Sequence, residues 1–368
     1  MGIDPARLAR VDEVIRAAID ERELPGAVLL VARRGRTVWR KAYGLRATTP
    51  ASERMTVDTI FDVASLTKVM ATATSLMILV EEGKVALQDP VVKYIPEFGR
   101  RGKDKVTVQH LLTHYSGLRP DLDLDDPWTG RDRALELIWR ERLEVEPGTE
   151  FIYSDINYIV LGELIQRVSG APLEEFAARH IYQPLGMRDT GFLPPAEKRP
   201  RIAPTERRNG RMLRGTVHDP TAERMGGVAG HAGLFSTVDD TAVWAQMLLN
   251  GGVYEGTRIL SPLGVLAMSS PQSPRTGFDW RGLGFDIDTR FSTVRGALFP
   301  RGSFGHTGFT GTSVWIDPGT QTIVILFTNR VHPNGTGDVV SLRSRVASVV
   351  AASLVDVPLV WEPYYRGY

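Results

Sequence analysis

The sequence predicts an α/β (α+β) fold, with a central antiparallel sheet built from both ends of the chain, flanking helices and a mostly helical insertion. Three observations predict it. β-rich runs lie near residues 27–42 and again near 282–327, and the stretch from Leu87 to about Thr237 is rich in Pro and Gly breakers with few strand signals. Helical patterns precede the first β-rich runs and follow the last. At 368 residues the chain exceeds a small single core. One unit with two lobes is expected over 1–368, an α/β lobe from 1–83 and 238–368 and a helical lobe from 84–237.

The elements follow in order. Leu8, Val11, Val14, Ile15 and Ile19 share one face of a first helix. The runs Ala27–Ala32 and Arg36–Ala42 flank Arg33-Arg34-Gly35 and read as a hairpin. A long helix is expected next, because Leu66, Val69, Met70, Ala73, Leu76, Met77 and Val80 recur at three- and four-residue steps before a Gly83 stop. Short helices are predicted at Val108–Thr113, Arg131–Arg140, Asn157–Val168 and Leu173–His180, and another at Asp239–Leu249 behind a Ser236-Thr237 cap. Strands at Gly282–Asp288, Thr312–Ile316 and Thr322–Phe327 and a helix at Asp338–Leu354 complete the chain.

Composition narrows the function. There are 44 Lys and Arg against 43 Asp and Glu, a net charge of +1, so nothing electrostatic favours nucleic acid or an anionic membrane. Zero Cys removes disulfide frameworks, thiolate metal sites and Cys nucleophiles. No apolar run is long enough for a membrane span. The first residues lack a secretory pattern, so cytoplasmic residence is expected as written, periplasmic or secreted if a signal was removed. Composition leaves the oligomeric state open.

Three short segments can carry chemistry. Ser65-Leu66-Thr67-Lys68 places a hydroxyl and an amine three residues apart at a helix start, where they share a face and the amine can activate the hydroxyl. A Ser at that place also simply caps helices. Tyr153-Ser154-Asp155 precedes an amphipathic helix; a Tyr carries protons near neutrality only if its pKa falls well below about 10, which a neighbouring ammonium favours. Gly305-His306-Thr307-Gly308-Phe309 lies between strand signals, where small residues let a ligand approach the backbone closely, or merely turn a hairpin.

In this order the three segments resemble the serine β-lactamase and penicillin-binding-protein superfamily. The likeness is to its class C β-lactamase-like branch, which includes D,D-peptidases, D-aminopeptidases and family VIII carboxylesterases. Phe61-Asp62-Val63-Ala64, Leu111–Leu118, Pro184-Leu185-Gly186-Met187 and Gly230–Thr237 agree with that branch, so the resemblance runs from about residue 5 to 350. It implies that Ser65 is a nucleophile forming an acyl-enzyme and that Lys68 and Tyr153 manage the protons. It also implies that the backbone N–H groups of Ser65 and Phe309 form the oxyanion hole. Asp155, His306, Thr307 and Gly308 become substrate-binding candidates, with no metal and no organic cofactor required.

Two departures bear on substrate. Asp155 stands where β-lactamases of this branch usually have Asn, and an ionised Asp accepts but cannot donate. It would hold the Lys68 ammonium or meet a cationic substrate group. His306 stands where they usually have Lys, so a fixed cation for a β-lactam carboxylate is missing. The expected activity is therefore hydrolysis of small-acyl esters, with weak β-lactam hydrolysis as a side activity. A D,D-carboxypeptidase or D-amino-acid peptidase, or a β-lactamase, is the alternative, and the expected partners are small ester, β-lactam or peptide-like molecules. A non-catalytic binding protein is disfavoured because Ser65, Lys68 and Tyr153 are all present.

Other clusters read as structural. His110 and His114 have zinc-ligand spacing, but Leu111 replaces the required Glu. Asp121, Asp123, Asp125 and Asp126 lack the Gly and terminal Glu of a calcium loop. Arg207–Arg211 reads as an exposed turn. His218 and His231 line the substrate cleft or serve loop hydrogen bonding; the sequence supports both readings.

Overall fold

The computed structural model describes residues 1–274 and 279–358. Eight strands form one antiparallel sheet. Their order across it is Trp280–Arg281, Asp286–Asp288, Phe304–Thr307, Ser313–Asp317, Thr322–Thr328, Gly26–Arg33, Arg36–Ala47 and Glu53–Arg54. The two ends of the chain meet where Gly26–Arg33 pairs with Thr322–Thr328, from Ala27 opposite Thr328 to Arg33 opposite Thr322.

The strand Gly26–Arg33 shows why the sheet lies at the centre. All eight of its residues are buried, so it carries no polar face. Side chains alternate by pleat: Ala27, Leu29 and Val31 join the core beneath the terminal helices Val11–Asp20 and Val340–Ala352, while Val28, Leu30 and Ala32 join the core shared with the helical segments. Its hairpin turns on Arg34 and Gly35, both at positive φ (49° and 73°), the two-residue turn whose twist suits antiparallel strands. Asn209-Gly210 does the same in the small hairpin of Arg207–Arg208 with Arg211–Met212.

Most expected elements form. Val108–Thr113 and Arg131–Arg140 are helices with those bounds, and the helix expected from Asn157 starts at Asp155 and runs to Ser169. Two expectations need correction. Gly282–Asp288 is not one strand, because Gly284 (φ 101°) turns the chain between Trp280–Arg281 and Asp286–Asp288. Nor is the segment after Ser65 a uniform α-helix: it opens as a wider π-helical stretch, Lys68–Ala73, and continues as an α-helix, Thr74–Glu81. Among the described residues no helix is long and apolar enough to cross a membrane.

Candidate active site

Ser65 follows a sharp bend. Ala64 sits at φ 47°, a conformation that costs an L residue of order 1 kcal/mol and persists only where neighbours enforce it. Asp62 enforces it: its buried carboxylate accepts the N–H of Ala64 (2.9 Å) and the N–H of His218 (2.7 Å). Burial pushes that carboxyl up, and the two backbone donors oppose the rise. From the other side, Thr310 and Thr312 donate their hydroxyls to the carbonyls of Asp62 (2.7 Å) and Val63 (3.0 Å). Gly308 packs so closely on Val63 that a Cβ would collide with its carbonyl. The segment after His306-Thr307-Gly308 is thus fastened to the residues immediately before Ser65.

Lys68 is fully buried one turn along, and its Nζ has three oxygen neighbours. It donates to Ser65 Oγ at 2.9 Å and to the His231 carbonyl at 3.2 Å, and it pairs with Asp155 Oδ1 at 2.6 Å. Burial alone would push the ammonium down; the Asp155 and Tyr153 groups beside it outweigh that, and its pKa rises above the usual amine range. Tyr153 is likewise raised, by burial first, against the lowering pull of Lys68 and Ser65. The lowering of the phenol that neutral proton transfer wants is therefore not the net outcome. At rest the site holds an ammonium and a phenol.

The Tyr153 ring is positioned by aromatic contacts. His114 stacks on it (4.4 Å between centroids, 24°), and Phe291 lies 5.2 Å away. His114 Nδ1 accepts the N–H of Ser154 at 3.0 Å, so this His braces the tyrosine turn instead of joining His110 in a metal pair. Arg281, buried and paired with Asp286, lies 5.9 Å from the Tyr153 ring, and together with burial it keeps His114 and His306 far below their usual pKa. Sequence reasoning missed Arg281 because its partner and its burial come from a turn that no local pattern marks. His306 is held neutral, with Nδ1 2.8 Å from the Thr307 carbonyl.

The segment Gly230–Leu234 runs against the helix that follows Ser65. Thr72 donates to the Gly230 carbonyl (2.6 Å), Lys68 to that of His231, and Leu234 donates its N–H to the Thr67 hydroxyl (3.1 Å). A Cβ on Gly230 would strike the Tyr158 carbonyl of the next helix. Gly230→Ala is therefore expected to cost activity and stability together, about 2 kcal/mol or more, read as a lowered denaturation midpoint in urea.

His231 and His218 differ in placement. The His231 side chain is buried and its Nε2 meets Asp219 Oδ1 at 2.8 Å. His218 stacks on the exposed Phe309 ring (5.6 Å, 22°), whose other neighbour is the Arg330 guanidinium at 4.4 Å. Of the acidic loop, Asp121 accepts from Thr221 (2.9 Å), and Asp123 accepts the N–H of Asp125 (2.9 Å) in a local turn. The structure thus gathers Ser65, Lys68, Tyr153 and Asp155 directly, with His306 and the Gly308 turn packed beside them.

A model of the beta-lactamase family matches residues 11–347. The chain belongs to the beta-lactamase family. This beta-lactamase-family chain is 35% identical over 369 residues to a Salmonella paratyphi B protein with the provisional name D-alanyl-D-alanine carboxypeptidase, a match covering 90% of this chain and 84% of that one. Among solved structures, a class C beta-lactamase superposes with a TM-score of 0.78 at 19% identity, covering 95% of this chain and 96% of that one. A penicillin-binding protein homolog from Caulobacter crescentus gives 0.77 at 24% (96% and 99%), and EstCE1, described as a hydrolase with promiscuous acyltransferase activity, 0.74 at 24% (94% and 99%). At these identities the structures show a shared fold. The family is one of serine hydrolases whose members act on ester, β-lactam or peptide substrates, and this chain is an enzyme of that type.

Proposed function

We propose that the protein hydrolyses small-acyl esters through an acyl-Ser65 intermediate. The observation that carries this reading is the contact of the buried Lys68 Nζ with Ser65 Oγ at 2.9 Å, with the Tyr153 ring centroid 5.0 Å from the same Nζ. Ser65 attacks the carbonyl, and the backbone N–H groups of Ser65 and Phe309 receive the developing oxyanion. The alcohol leaves, water attacks the acyl group, and Ser65 is regenerated. The substrate preference rests on charge. Asp155 is engaged by Lys68, and His306 is held neutral, so neither donates to a substrate amide carbonyl nor offers a fixed cation.

A second reading, cleavage of peptides ending in a D-amino-acid carboxylate, is favoured by two observations. The Salmonella relative bears a carboxypeptidase name, and the Arg330 guanidinium lies over Phe309 at the proposed oxyanion residue. Turnover of p-nitrophenyl butyrate, a chromogenic cephalosporin and a D-alanyl-D-alanine peptide separates the readings. The expected order is ester far above cephalosporin. Fast cephalosporin turnover would sink the argument from Asp155 and His306, and peptide turnover above ester turnover would move the assignment to the carboxypeptidase.

A further inference from the structure

Two backbone donors beside the nucleophile are unengaged. The N–H groups of Ser65 and Phe309 meet no acceptor among the described residues, whereas those of Ala64, Leu66, Gly308 and Gly311 all do. A free donor serves a reacting carbonyl only if its direction is fixed beforehand. The Ser65 donor follows the enforced bend at Ala64. Phe309 is the first central residue of a turn. The Gly311 N–H closes that turn on the Gly308 carbonyl (3.1 Å), and at its neck the Gly308 N–H donates to the Thr312 carbonyl (2.7 Å).

Arg343, from the terminal helix Val340–Ala352, holds this turn from behind. The side chain is buried, and its Nη2 donates to the Gly308 carbonyl at 2.9 Å and to the Thr312 carbonyl at 2.8 Å. Arg330 treats the next peptide alike, its Nε donating to the Phe309 carbonyl at 2.6 Å. Burial pushes the Arg343 guanidinium down to about 9, so it is still a cation at neutral pH. An apolar side chain of similar volume would fill the same space without burying a charge, so packing alone does not account for an arginine there.

We infer that Arg343 is a positioning residue for the oxyanion site: by binding the Gly308 carbonyl it sets the direction of the Phe309 N–H and strengthens it as a donor. This rests on the acyl-Ser65 reading above. The Gly308–Phe309 peptide is trans and planar, so its carbonyl and its N–H point to opposite sides. With the carbonyl held on Arg343, the N–H faces away from that guanidinium. Thr310 and Thr312 tie the same turn to the carbonyls of Asp62 and Val63, which keeps the N–H in fixed relation to Ser65. A cation on the carbonyl oxygen also polarises the amide, so its N–H donates more strongly as negative charge develops on the substrate oxygen. Arg343 itself neither gives nor takes a proton.

The test compares p-nitrophenyl butyrate with its thionoester, in which sulfur replaces the carbonyl oxygen and accepts hydrogen bonds only weakly. Arg343→Gln in the full chain is expected to lower kcat for the oxygen ester about 100-fold, with KM within about threefold of wild type. Thionoester turnover is expected to fall less than about fivefold, so the oxygen-to-sulfur rate ratio drops about 20-fold or more. Equal losses on both esters would mean a merely structural role, and an unchanged kcat would mean none. Losses confined to KM, or to the cephalosporin and the D-alanyl-D-alanine peptide, would make Arg343 a contact for a substrate carboxylate. Each of these overturns the inference. Arg343→Lys keeps a cation able to reach one of the two carbonyls, and is expected to recover about a tenth of wild-type kcat with an intermediate ratio. If Arg343→Gln fails to fold, a lysine variant with the wild-type ratio overturns the inference. Turnover retained by Ser65→Ala would instead overturn the acyl-enzyme reading, whatever Arg343 does.

Discussion

Replacing Ser65 by Ala is expected to lower kcat for p-nitrophenyl butyrate by about 10⁴-fold or more, with KM little changed. The change removes the one side-chain atom that both receives the Lys68 ammonium at 2.9 Å and sits at the end of the strained Ala64 bend. The adjacent hydroxyl cannot substitute: Thr67 donates to the Ala64 carbonyl at 2.6 Å and accepts the N–H of Leu234. Binding persists because backbone donors and cleft walls are untouched. Steady-state kinetics beside mass-spectrometric labelling by a fluorophosphonate checks this. Wild type should gain one adduct on Ser65 and the variant none; a variant keeping more than about one per cent of kcat would remove Ser65 from the chemistry.

Lys68→Met is expected to cost about 10³-fold in kcat and to lower the melting temperature by several degrees. Methionine matches the length of the lysine stem, so the buried shaft stays filled. The head group is lost from three oxygens at once: Ser65 Oγ, the His231 carbonyl and Asp155 Oδ1. The carboxylates of Asp155 and Asp219 then face each other near His231 without the ammonium between them, which is the source of the stability loss. Lys68→Arg should not rescue activity, since a planar guanidinium cannot direct donors to those three places. Calorimetry and kinetics on both variants check the pair. An arginine variant near wild-type rate would show that charge alone suffices there.

Much of the fold was legible because its signals are local. Alternating or continuous apolar runs marked the strands of the two chain ends, and Thr107, Asp219 and Thr237 cap their helices by hydrogen bonds that need only a few residues. The split of the strand expected at Gly282–Asp288 was not legible. Only the positive φ of Gly284 reveals it, and a lone Gly in an apolar run has several meanings.

The chemical inventory is readable from residue order alone: Ser65, Lys68, Tyr153 and His306 in that order, no thiols, and an Asp and a His at positions that bear on substrate charge. Tertiary structure decided protonation and contact. Lys68 and Asp155 are 87 positions apart, and His231 follows Lys68 by 163, so no local pattern could pair them. Whether an amine is raised or lowered depends on burial set against neighbouring charge, and both arise only when distant segments pack. For the same reason His114, spaced like a metal ligand, proved to be the shelf beneath Tyr153. His231, one residue in a Gly-rich run, came to rest on a carboxylate beside the nucleophile's lysine.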